Sequence, residues 1–183
     1  MLFRSKGAGA REPRLHEVTM ALAGEMIALG GLAPSAVAGR ARAEAALADG
    51  RAAEVFGRMV SALGGPADFL EHSARYLSQA PVIKPCTAEQ SGHVVGMDAR
   101  EVGIAVAGLG GGRAHADDAI DPSVGLTEMI DVGAPVRSGS PLCMVHAATE
   151  ADAEQAVRMI RKAVRIGSPA PPTKPVVIDR IVA

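Results

Sequence analysis

Aromatic residues are nearly absent: the 183 residues include no tryptophan, one tyrosine and three phenylalanines. A hydrophobic core must therefore be built from Ala, Val, Leu, Ile and Met. Charge of one sign is also lacking, with 19 basic against 20 acidic side chains and a net charge of -1. That balance argues against nucleic acid as a partner, because neutralising phosphates takes a concentrated excess of Lys and Arg. No apolar run approaches the roughly 18 residues that a membrane helix needs, so no membrane role is expected. The only cysteines, Cys86 and Cys143, have neither short metal-ligand spacing nor a disulfide-rich context. They read as buried thiols in a reducing cytoplasm. The opening MLFRSKGAGA is positively charged but has no apolar segment of signal-peptide length. It has no periodicity that would start a domain, and is read as a truncated or mis-started beginning.

What is present suits a soluble globular protein, at 48% hydrophobic and 21% charged residues. The length allows one domain or two small ones. Residues 12 to 76 read as helical. Leu15, Val18, Leu22, Met26 and Leu29 fall at helix spacing, with Pro13 before them and Gly30-Gly31 after. Further helices are expected from Pro34 to about Asp49, Ala52 to about Leu63, and Ala67 to about Tyr76. Pro81 and Pro85 mark a change to strands, expected at Val82-Ile83, His93-Val95, Val124-Ile130, Pro141-His146 and Val176-Val182. Val102 to Leu109 fits either a strand or a helix packed through small residues. Glu150 to Ile166 is an amphipathic helix with Ala153, Ala156, Val157, Ile160 and Val164 on one face.

Three consecutive glycines, Gly110 to Gly112, precede Arg113 and an acidic loop with Asp117, Asp118 and Asp121. Successive glycine amides beside a cation can face an anion. No Gly-Lys-Ser/Thr follows, so this is not a Walker loop, and no acidic residue stands at dinucleotide-fold spacing. Two readings stay open. One is a hinge-like turn whose Arg113 pairs with Asp117, Asp118 or Asp121; the other is a segment that contacts ligand or closes a cleft.

None of the histidines, His16, His72, His93, His115 and His146, is spaced from another His or Cys as helical metal ligands are, so no metal is expected. Cys143 and His146 lie three apart on an expected strand and face opposite sides, which rejects them as a catalytic pair. The stretch DVGAPVRSGSPLCMVH, from Asp131 to His146, resembles the turn-and-strand signature of biotinyl and lipoyl carriers. Those need a modifiable Lys at a hairpin tip, and Lys6, Lys84, Lys162 and Lys174 occupy no such place. The shared feature is read as structural, a hammerhead of β-strands.

Several blocks occur in an order that resembles the pyrimidine nucleoside phosphorylases, most closely the thymidine phosphorylases. Arg11-Leu15 with Val18-Leu22, and Ala52-Val60, look like late helices of that family's large domain. The segment from Met97-Asp98 to Gly125, with Gly110-Arg113 and Asp118-Gly125 inside it, looks like the family's C-terminal domain. The resemblance covers nearly everything after Arg11. It implies an α+β chain, with residues 1-79 a helical remnant of the large α/β domain. Residues 80-183 would be the C-terminal α/β-hammerhead domain.

The resemblance also implies a pentosyltransferase whose complete form takes thymidine and phosphate and needs no cofactor. The family's phosphate-binding glycine-rich segment, its Lys-His signature and its base-holding Arg, Ser and Lys match nothing here. No catalytic residue is therefore assigned, and the piece is expected to be inactive alone. Gly110, Gly111, Gly112, Arg113 and His115 are expected to form a substrate-closing loop. Complete relatives are homodimers, whereas exposed faces at Leu22, Met26, Val55 and Met59 imply non-native self-association here.

Overall fold

A computed structural model describes residues 12–113, 115–172 and 174–181. Their contacts divide the chain into two units, one of residues up to Tyr76 together with those from Lys174 onward, the other Leu77–Thr173.

The first unit is helical. Helix α1 spans Pro13–Leu29, α2 Ala36–Ala48, α3 Arg51–Ala62 and α4 Phe69–Tyr76. Pro13 starts α1 where its missing amide costs nothing, and the Glu12 carboxylate accepts from the free amides of Arg14 and Leu15. Ser35 caps α2 by accepting from the Ala38 amide. The α1–α2 contact is made through small residues. A methyl placed on Gly24 would lie 2.7 Å from the Ala36 carbonyl oxygen, and one on Gly39 would collide with the Gly24 carbonyl. Arg40 then spans the pair, forking onto the Glu17 carboxylate at 2.7 Å and bonding Glu44 at 2.9 Å.

The strand expected at Val176-Val182 is absent over the part described, 174–181. Those residues group with the helices, where Arg180 pairs with Glu25.

The second unit mixes helix and sheet, so the chain is α+β. Strands β1 (Val82–Thr87), β5 (Pro141–Ala147) and β3 (Gly125–Thr127) form one antiparallel sheet with β5 central. Strands β4 (Pro135–Val136), β2 (Gly92–Met97) and β6 (Val164–Gly167) form the other, with β2 central. Helices α5 (Ala99–Val106) and α6 (Glu150–Ala163) pack against each other, and α6 also covers β1 and β5.

The ambiguous 102–109 segment is helical. Asp98 decides it locally, accepting from the amides of Arg100 and Glu101 at 3.0 and 3.2 Å. The helix expected to reach Ile166 stops at Ala163, and β6 follows without a loop. Val164 and Ile166 continue the apolar pattern, so periodicity alone could not reveal the change. Thr149 caps α6, acidic residues sit in its first turn, and Arg161 and Lys162 sit in its last, all favourable to the helix dipole.

One core joins these elements. Val94, Leu142, Val145 and Ile160 are fully buried, with Val124 and Leu126 packed on them. Each such aliphatic side chain contributes about 1.5–3 kcal/mol by leaving water. Ala153, Ala156, Ile160 and Ala163 form the buried stripe of α6.

Candidate functional site: the triple-glycine turn

Helix α5 does not end in an ordinary cap. It widens into a π-helical turn over Ala107–Gly111, inside which Gly110 takes φ +95°. Only glycine enters that region without strain. The two following glycines are there for space. A methyl on Gly111 would sit 3.0 Å from a Val106 methyl and 3.5 Å from Val124, and one on Gly112 would sit 3.2 Å from the Ala107 methyl. The three residues thus have two functions, one conformational and two steric.

Beyond the turn the chain is tied back on itself. The Asp121 amide donates to the Gly110 carbonyl at 2.9 Å. The Asp121 carboxylate accepts from the Ser123 hydroxyl at 2.6 Å and from the Ser123 amide at 2.8 Å. These bonds, the hydroxyl first, hold its pKa below the ordinary 3.8. The His115 amide donates to Asp118 at 2.8 Å, and the His115 ring lies 3.5 Å from the same carboxylate while remaining exposed.

Arg113 is exposed, and no ion pair holds it among the described residues. The expected pairing with Asp117, Asp118 or Asp121 is not made there. Asp121 is occupied by Ser123, two residues along its own backbone, a local bond that closes with less ordering than an ion pair across the loop. Gly110 and Gly111 close the π-helical turn, Gly112 leaves it in extended backbone, and Arg113 and His115 follow on exposed chain. Chemically the turn can position and screen charge.

Cys143 and His146 do not come together as a nucleophile and base. On β5, Cys143, Val145 and Ala147 face the core, while half-buried His146 is bonded to Thr127 on β3 at 2.8 Å. Among the described residues, no three His, Cys, Asp or Glu side chains are grouped to hold a metal ion. No helix there is long and apolar enough to cross a membrane.

Two features of this unit had no signature in the spacing of residues. Arg161 on α6 reaches β1, donating to the Thr87 carbonyl at 3.0 Å and hydroxyl at 3.2 Å, and pairs with Glu89. Cys86 and Cys143 are register partners on β1 and β5. The Asp98 cap did have one, an acceptor followed three residues later by Glu101, the pattern of a helix start.

The triple-glycine turn, α5, α6, the strands from β3 to β6 and all of β2 but Gly92 fall within one matched segment. Residues 93–167 match the family model of the pyrimidine nucleoside phosphorylase C-terminal domain.

Proposed function

We propose that the chain is the C-terminal part of a thymidine phosphorylase, which converts thymidine and phosphate to thymine and 2-deoxyribose 1-phosphate. The observation that carries this is the domain match over residues 93–167, with the glycine turn and exposed Arg113 inside it. Residues 80–183 are read as that enzyme's α/β-hammerhead domain and residues 1–79 as a remnant of its large domain. In such a reaction phosphate attacks the anomeric carbon as the base leaves as an anion. The protein must bring two anionic groups together and screen their charge. This chain's part is closure: the Gly110–Gly112 turn aims Arg113 and His115, and a cation arriving with the loop favours an anionic cleft.

The groups that hold phosphate and base lie in the family's preceding segment, so the isolated chain is inactive. Purified chain incubated with thymidine and phosphate should release no thymine above background. A longer protein carrying the preceding segment should release thymine only when phosphate is present. Faster turnover of uridine than thymidine by that protein would point to a broader pyrimidine enzyme.

A second reading is a non-catalytic interaction module. It is favoured by the exposure of Leu22, Met26, Val55 and Met59 on the helices. Phosphate-dependent thymine release by the longer protein would reject it.

A further inference from the structure

Cys86 and Cys143 are directly paired across the antiparallel strands β1 and β5, and both are completely buried. Such register partners lie about 4.5–5.5 Å apart at Cα, inside the roughly 4.4–6.8 Å span of disulfides. The Cys86 thiol also meets the Val157 carbonyl at 3.7 Å. Neither sulfur has a part in the function proposed above.

The surroundings differ between the two. Arg161 donates to the Thr87 carbonyl and hydroxyl, placing a guanidinium beside Cys86. The neighbouring Cys143 thiol, and secondarily Arg161, hold the Cys86 pKa below its usual 9.0 against the effect of burial. Hydrogen bonding to Cys86 and burial push Cys143 well above it. Of the two, Cys86 is the thiol that ionises first. Arg161 also walls an open cavity of about 270 Å³ lined by Ala88, Glu89 and Leu142. Strand β1 is the edge of its sheet, so a small opening there uncovers Cys86 before the central strand is disturbed.

We propose that Cys86 and Cys143 are a peroxide-oxidisable dithiol, with Cys86 the attacking sulfur and Cys143 the resolving one. The Cys86 thiolate attacks one oxygen of hydrogen peroxide. A sulfur–oxygen bond forms, the oxygen–oxygen bond breaks, and the departing hydroxide takes up the Cys86 proton as water. The Cys143 sulfur then attacks the Cys86 sulfenic acid, loses its own proton and expels a second water. Two thiols give up two electrons and two protons, the peroxide becomes two waters, and β1 is stapled to β5.

The test exposes the full chain to hydrogen peroxide, quenches it, unfolds it and alkylates it with N-ethylmaleimide before intact-mass and peptide analysis. Both thiols should become unreactive together, with loss of two hydrogens and a Cys86–Cys143 linked peptide that dithiothreitol reverses. With Cys143→Ala, Cys86 should stop at a sulfenic acid that dimedone traps; with Cys86→Ala, Cys143 should stay reduced. The proposal is overturned if both thiols remain alkylatable under exposure that already oxidises methionines. Links only between chains, or oxidation of Cys143 without Cys86, would overturn it equally.

Discussion

The Asp121 amide donates to the Gly110 carbonyl at 2.9 Å, closing the acidic loop onto the turn from which it departs. Gly110 can offer that carbonyl only because it holds φ +95°. Gly110→Ala should therefore destabilise the protein by about 1–2 kcal/mol, the cost of a side chain in the left-handed region. Gly103 is the contrast. It lies within α5 with nothing within 4 Å of an added methyl. Gly103→Ala should stabilise by about 0.5–1 kcal/mol. Thermal unfolding of both variants reads the opposite signs, and a stabilised Gly110→Ala would remove the conformational role given to that residue.

Asp121 sets a pH dependence. Its folded pKa is depressed by Ser123, so its contribution to stability is present above the ordinary value of 3.8. The contribution fades as pH falls below that value through the depressed one. Ser123→Ala removes the hydroxyl bond and should move the Asp121 carboxyl pKa upward toward 3.8, as followed by NMR titration of its side-chain carbon. An unchanged titration would mean the hydroxyl bond does not hold this carboxylate in solution.

Much of the architecture was legible because it is local. Glu150 begins α6 with a Thr cap before it and a regular apolar stripe after it, and the helix starts where that pattern says. Val82 and His93 likewise mark strands by their β-branched pairs, and Pro141 by its apolar run after the Ser138-Gly139-Ser140 turn. The failures occur where a non-local partner decides. Val164 leaves the helix because β2 receives it, and Pro135–Val136 is a strand only because Gly92 and His93 pair with it. Within the site, the glycines announced a turn. Of the two readings open for Arg113, pairing with a loop aspartate is not made among the described residues, and Asp121 bonds the nearer Ser123.

Association follows from the helical unit. Leu22 is 61% exposed, Met26 71%, Val55 55% and Met59 47%. Apolar side chains this open favour contact with other apolar surfaces. The isolated chain should elute broadly and early in sizing chromatography and bind a hydrophobic dye, with both effects reduced by Leu22→Lys and Met26→Lys together. A sharp monomer peak at high concentration without dye binding would contradict this.

The most direct measurement replaces the C-terminal domain of an established thymidine phosphorylase with the corresponding part of this chain. Phosphate-dependent thymine release by the folded chimera is then followed. The account predicts that turnover is retained and that Arg113→Ala lowers it by about 10-fold to 100-fold, the scale of a displaced closing element. A folded chimera that releases no thymine, or one indifferent to Arg113→Ala, would contradict it.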